Sequence, residues 1–206
     1  MGPGHPQDVD RDVRVPLPGA GRDHRRHQPY TTIGRSGWSG WSGWSGWNQY
    51  GIMLSTGDVT GDGRPDLIVR KASTGDMYLY KGTSAGKLSA RVKIMSNWKT
   101  YKKIVTVGDI TGDGIGDLLA QDKSNNLYRY NGTRTGAFKT RVRIATKWGG
   151  SYNAVVGVGD LNRDGIGDLI SRDTSGKLFR NYGNGKGGIG ARTQIGTGWG
   201  GYKALY

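Results

Sequence analysis

Nine aspartates in this chain stand where they could hold hard cations. They fall in three nine-residue loops, Asp58-Val-Thr-Gly-Asp-Gly-Arg-Pro-Asp66, Asp109-Ile-Thr-Gly-Asp-Gly-Ile-Gly-Asp117 and Asp160-Leu-Asn-Arg-Asp-Gly-Ile-Gly-Asp168. Side-chain oxygens occupy positions one, three, five and nine of each: Asp58, Thr60, Asp62 and Asp66, then Asp109, Thr111, Asp113 and Asp117, then Asp160, Asn162, Asp164 and Asp168. Position seven, at Arg64, Ile115 and Ile166, would add a backbone carbonyl. A glycine at position six permits the positive φ that curls such a loop. An oxygen-only, carboxylate-rich donor set suits Ca²⁺, whereas Mg²⁺ demands octahedral geometry and retains its waters. Zn²⁺ is a poor match for loops without Cys or His. Carboxylates brought together repel one another unless a cation neutralises them. Asp-Gly clusters also make simple turns, but three copies with their carboxylates in register favour about three Ca²⁺ sites.

The second recurring set is aromatic. Trp47, Trp98, Trp148 and Trp199 are each followed closely by a tyrosine, at Tyr50, Tyr101, Tyr152 and Tyr202. Two roles are open for Trp98, Tyr101, Trp148, Tyr152, Trp199 and Tyr202: packing between repeats, or flat faces for sugar rings. Arg91, Arg141 and Arg192 recur in register as well, to pair with Asp or a backbone carbonyl or to face an anionic ligand. No nucleophile and base can be assembled within the repeats. Cys is absent and all three His lie near the N-terminus, at His5, His24 and His27. A non-catalytic module is therefore expected.

These residues are carried on a repeat. The acidic loops recur every 51 residues, a period that signals propellers or arrays. Each copy reads as four short strands. One precedes the loop (Lys103–Val107) and one leaves it (Leu118–Ala120), then come an alternating run (Leu127–Tyr130) and a last strand (Thr140–Ile144). No segment shows an apolar period of 3.6 residues, so essentially no helix is expected. The expected fold is all-β, with β-propeller blades spanning 47–97, 98–147 and 148–198, and 199–206 beginning a fourth. Three blades are fewer than the four to eight of closed propellers. The chain is then an open arc, part of a larger propeller, or one part of a ring closed by association as a homo-oligomer.

Composition agrees with this reading. The chain of 206 residues contains 38 Gly, and all 16 acidic residues are Asp, nine of them in the loops. The net charge of +14 favours anionic partners such as cell-surface polymers, acidic polysaccharides or nucleic acid. Lys and Arg are spread over all the repeats and no nucleic-acid motif is present, which makes nucleic acid an unlikely partner. Residues 1–35 read as a disordered basic tail. Residues 36–46 are a Ser-Gly-Trp low-complexity segment in which Trp38, Trp41 and Trp44 have no counterparts elsewhere. No signal-peptide h-region is visible, and no apolar stretch is long enough for membrane insertion as a helix.

Gly57-Asp-Val-Thr-Gly-Asp-Gly-Arg-Pro-Asp-Leu67 and its partners beginning at Gly108 and Gly159 carry a family resemblance. Over residues 47–206 the chain resembles the FG-GAP/VCBS repeat family, the integrin-α-like β-propeller repeats. The resemblance implies Ca²⁺ ligands at positions one, five and nine of each loop, and a secreted or extracellular location. It also implies a recognition module, a lectin for glycan or another cell-surface polymer; the alternative is an accessory or scaffold module of a secreted hydrolase or polysaccharide lyase. Thr60 and Thr111 stand where the family often has Asp or Asn, and Arg163 replaces the glycine found at Gly61 and Gly112. The Phe-Gly-Gly-Ala-Pro signature is absent.

Overall fold

The computed structural model describes residues 46–205, so the readings of 1–35, of the Ser-Gly-Trp segment up to residue 45 and of Tyr206 lie outside the described residues. Residues 46–205 belong to one compact unit. It contains three four-stranded antiparallel sheets, each a meander paired in chain order. The first comprises β1 (Tyr50–Ser55), β2 (Leu67–Lys71), β3 (Met77–Tyr80) and β4 (Val92–Met95). The second comprises β5 (Tyr101–Gly108), β6 (Asp117–Asp122), β7 (Leu127–Tyr130) and β8 (Val142–Ala145). The third comprises β9 (Tyr152–Gly159), β10 (Asp168–Asp173), β11 (Leu178–Asn181) and β12 (Thr193–Gly196). The expected four strands per repeat are all present, and the last begins two residues later than the sequence pattern suggested.

Local chemistry sets the turns. Between the second and third strands the chain reverses through a left-handed residue, Gly75 (φ 77°), Asn125 (φ 65°) or Gly176 (φ 77°). Asparagine serves there because its short polar side chain tolerates that region. In all three sheets the register between third and fourth strands slips at the same place, at Met77/Tyr78, Leu127/Tyr128 and Leu178/Phe179. The repeats thus share their irregularities as well as their strands. The only helical elements among the described residues are three-residue 3₁₀ turns at Trp47–Gln49, Trp98–Thr100 and Trp199–Gly201.

The core lies between successive sheets. Ile68, Met77 and Leu79 of the first sheet pack with Trp98, Ile104, Leu118 and Ala120 of the second. Val105, Val107, Leu119 and Leu127 of the second pack with Leu169 of the third. The middle sheet is therefore covered on both faces. This explains why Leu118, Leu119 and Ala120 form an unbroken apolar run, in contrast to the alternation of a sheet wetted on one side. β5 runs beside β9, and their backbones nearly touch where a Cβ on Gly157 would fall 1.8 Å from the Thr106 carbonyl oxygen. Only glycine permits that approach.

Candidate functional site

Each acidic loop joins the first strand of a sheet to the second, and its aspartates divide into two kinds. Position one folds the loop around itself. The Asp58 carboxylate accepts amides from Thr60, Gly61 and Asp62 on Oδ1, at 3.1, 2.6 and 3.1 Å, and from Gly63 on Oδ2 at 2.6 Å. Asp109 repeats this with Thr111, Gly112, Asp113 and Gly114. Asp160 accepts from Asp164 and Gly165 only. Burial raises the Asp58 pKa, but the amides of Gly63, Gly61, Asp62 and Thr60 together outweigh it and hold the carboxyl below its ordinary value. Position five caps the next bend, where Asp62, Asp113 and Asp164 accept the amides of Arg64, Ile115 and Ile166. Asp62 also pairs with the Arg64 guanidinium at 2.7 Å.

Position nine does something different. Asp66, Asp117 and Asp168 are 3%, 2% and 0% exposed. One oxygen of each accepts the amide of the loop's second residue, Val59, Ile110 or Leu161. The other reaches out of the loop to the amide of Gly82, Gly132 or Gly183, beyond the third strand, at 3.0, 2.9 and 2.9 Å. These glycines are sterically required. A Cβ on Gly82, Gly132 or Gly183 would stand 2.3, 2.2 or 2.4 Å from the carbonyl oxygen of Pro65, Gly116 or Gly167. The ninth aspartate therefore staples the loop to the far turn of its own sheet. Burial pushes the Asp117 pKa up, against the lowering effect of the Gly132 and Ile110 amides.

The oxygen donors at positions one, three and five suit a hard cation in type. Among the described residues no three acidic or imidazole groups are grouped as a metal site. Each loop carries three carboxylates and a neutral oxygen, Thr60, Thr111 or Asn162.

A second constellation links one repeat to the next. Arg70, on β2, donates from Nη1 to the carbonyls of Trp98 and Tyr101, at 3.1 and 3.0 Å. Gln121 holds the matching place on β6 and reaches the Trp148 carbonyl. Arg172, on β10, donates to the carbonyls of Trp199, at 3.0 Å, and Tyr202. The second strand of every sheet thus clasps the Trp-led turn that follows the sheet.

The aromatics also contact one another within their repeats. Tyr101 and Tyr130 share a hydroxyl–hydroxyl hydrogen bond of 2.6 Å, the Trp98 ring lies 4.5 Å from Tyr130, and Arg141 sits over the Tyr128 ring while donating to the Tyr101 hydroxyl. The first repeat copies this with Tyr50, Tyr80, Tyr78 and Arg91. Burial, reinforced by the Tyr50 hydroxyl, pushes the Tyr80 pKa up to about 12. In the third repeat Arg192 lies over Phe179, and Asn181 replaces the second tyrosine.

The three in-register loops are matched by a family model. The FG-GAP-like repeat model fits residues 58–120 and 118–171, more than half of the chain. The chain belongs to the FG-GAP-like repeat family. A comparison with curated proteins finds no match. Among solved structures, one of an Agrocybe aegerita lectin that specifically recognises non-reducing terminal N-acetylglucosamine is similar, at 22% identity and a TM-score of 0.52. The alignment covers 72% of this chain and 38% of that one, so this chain spans well under half the lectin's length. At this identity the likeness concerns the fold.

Within these FG-GAP-like repeats, Trp98, Tyr101 and Tyr152 are 4%, 5% and 5% exposed and are spent on packing. Trp148 and Trp199 are half-buried, and Tyr202 is exposed. Arg91, Arg141 and Arg192 bond to tyrosine hydroxyls and lie over Tyr78, Tyr128 and Phe179, where the sequence suggested Asp or carbonyl partners or an anionic ligand. The clasp was missed at sequence level. Its signal was the matching place of Arg70, Gln121 and Arg172 at the end of Leu-Ile-Val-Arg, Leu-Leu-Ala-Gln and Leu-Ile-Ser-Arg.

Proposed function

We propose that this chain is a non-catalytic carbohydrate-binding module of β-propeller type, acting outside the cell on glycan or another cell-surface polymer. The observation that carries the reading is the set of three stacked four-stranded meanders, joined by repeated clasps, in a fold similar to that of a lectin. Sheets that pack on one another in chain order, with the first strands β5 and β9 side by side, suit a propeller, and a cleft between blades would be the place for a ligand. Trp199 and Tyr202 retain accessible aromatic faces and are the residues for a sugar ring to stack upon. Nothing in the repeats offers a nucleophile paired with a base, consistent with recognition in place of catalysis.

Ca²⁺ is proposed as a structural ion of the acidic loops, held by the oxygens of Asp58, Thr60, Asp62 and Asp66 and the Arg64 carbonyl, and by their equivalents. When bound it neutralises the paired carboxylates. Affinity is placed in the range of extracellular modules, about 0.1–1 mM. At about 1 mM Ca²⁺ each site then adds on the order of 0.4–1.4 kcal/mol by mass action. Thermal unfolding in Ca²⁺ and in chelator reads this out, and identical curves would remove the ion from the proposal.

The functional test is an array of glycans and cell-wall polymers, including terminal N-acetylglucosamine, probed with wild type and Tyr202→Ala. Selective binding, weakened in the variant, is expected. Absence of binding by the folded chain would refute the lectin reading and favour an accessory module of a secreted hydrolase or lyase.

A further inference from the structure

Charge is segregated along each repeat. Every described aspartate lies in one of the acidic loops or at Asp76, Asp122 or Asp173, beside the turn between second and third strands. Residues 77–108, 123–159 and 174–205, which hold the third and fourth strands of each sheet, contain no acidic residue. They carry Arg91, Lys93, Arg141, Arg143 and Arg192 on the fourth strand or immediately before it, all exposed. The fourth strands β4, β8 and β12 are sheet edges, each at the opposite side of its sheet from the first strand, and it is the first strands β5 and β9 that lie together. These cations therefore line the outer rim of the three sheets.

Three of them are held in place. Arg91 donates to the Tyr50 hydroxyl at 2.7 Å, with its guanidinium carbon 4.7 Å from the centre of the Tyr78 ring. Arg141 donates to the Tyr101 hydroxyl at 2.5 Å and stands 4.4 Å from Tyr128. Arg192 donates to the Tyr152 hydroxyl at 3.4 Å and stands 4.6 Å from Phe179. Each bond uses one of the five N–H donors a guanidinium carries. No carboxylate among the described residues bonds to any of the three, and Asp173 acts on Arg192 only through its charge. Lys93 is paired with Asp76 at 3.0 Å, whereas Arg143, beside Arg141, has no ion pair among the described residues. A guanidinium already fixed on a ring and a hydroxyl loses little rotamer freedom when an anion arrives.

We propose that this outer rim binds an acidic polysaccharide, whose carboxylate or sulfate groups are received by Arg91, Arg141 and Arg192, one from each sheet. The inference rests on the glycan-recognition reading; it names the charge class of the polymer and a surface other than Tyr202. A planar fork of N–H donors matches the oxygen pair of a carboxylate or sulfate. A linear polymer crossing the rim meets a fixed cation at every sheet, so weak contacts add along one chain. Single-stranded nucleic acid is a poorer match. It is gripped by bases stacking on free aromatic faces, and the rings along this strip, Tyr78, Tyr128 and Phe179, each have a guanidinium over them.

Binding of the full chain to immobilised polygalacturonate, dextran sulfate, neutral dextran, duplex DNA and a single-stranded oligonucleotide, at about 50 and 200 mM salt, tests the proposal. The acidic polysaccharides should bind most tightly, and the stronger of the two identifies the anionic group. Replacing Arg91, Arg141 and Arg192 together by Gln should weaken that binding about ten- to a hundredfold at the lower salt and flatten its salt dependence. The same loss of charge at exposed Lys99, Lys123 and Lys177 should cost less than about threefold. Should the Gln variant fail to fold, replacement of the three arginines by Lys decides. It keeps the charge but loses the planar fork, and should bind about threefold more weakly. No binding of either acidic polymer, equal losses in the arginine and lysine sets, undiminished binding by the Lys replacement, or nucleic acid bound as tightly as the polysaccharides would overturn the proposal. Tyr202→Ala is read on the same surfaces and on the neutral glycans. Neutral-glycan binding lost in Tyr202→Ala, with no acidic polymer bound, refutes the rim alone. Acidic-polymer binding that needs the arginines, with no neutral glycan bound and no effect of Tyr202→Ala, refutes the Tyr202 site alone.

Discussion

Replacing Arg70 should loosen the first two sheets from each other. The side chain spans from β2 to the turn ahead of β5 and gives two hydrogen bonds, to Trp98 O at 3.1 Å and Tyr101 O at 3.0 Å. It is half-buried, and that burial lowers its pKa without discharging it. A hydrogen bond from a charged donor contributes about 1.5–3 kcal/mol. Trp98 O keeps a second donor, the Tyr101 amide, so its loss is partly covered. Arg70→Met should therefore cost about 2–4 kcal/mol, and Arg70→Gln about half of that, since Gln121 shows that an amide can still reach the tryptophan carbonyl. For a unit of this size each kcal/mol moves the thermal midpoint by about 2–4 °C. Urea unfolding of both variants, beside Lys123→Met in an exposed turn, measures the difference. Should Arg70→Met fall within about 0.5 kcal/mol of that control, the range of neutral surface changes, the clasp would not be a source of stability.

The converse change, Gln121→Arg, should raise stability by about 1 kcal/mol by adding a second bond to the turn after β8, and an unchanged urea midpoint would argue against it. Gly132→Ala places a Cβ 2.2 Å from the Gly116 carbonyl oxygen and should cost more than about 2 kcal/mol or block folding, as expression and thermal melting will show. Asp117→Asn leaves one of two amides, Gly132 or Ile110, facing a nitrogen, for a loss of about 1–3 kcal/mol in the same assay. Tyr80, raised to about 12 by burial and by Tyr50, keeps its proton in the folded chain after an unfolded tyrosine near pH 10 has lost one. Unfolded chains then bind fewer protons, so stability should fall as pH climbs from 10 through 12. Ultraviolet titration that finds every tyrosine ionising near pH 10 in the folded protein would contradict this.

Sequence alone determined the repeat. Period-two apolar runs, left-handed glycines in the turns and the in-register loops are local features, because a strand's alternation and a turn's φ depend on neighbours a few residues away. That is why twelve strands in three sheets could be read with their order. The roles of the aspartates were decided in three dimensions. Asp58 and Asp66 look alike in the loop, yet Asp66 also meets Gly82, sixteen residues away, and staples the loop to the far turn. Arg70 looked like an ordinary strand residue until the fold brought Trp98 and Tyr101 to it across 28 and 31 residues. Trp98 and Tyr101 could equally have stacked on a sugar, and only the neighbouring sheet, by burying them, committed their faces to packing. Composition dictates which groups are available, but burial and long-range approach decide which lone pairs and ring faces remain free for a ligand.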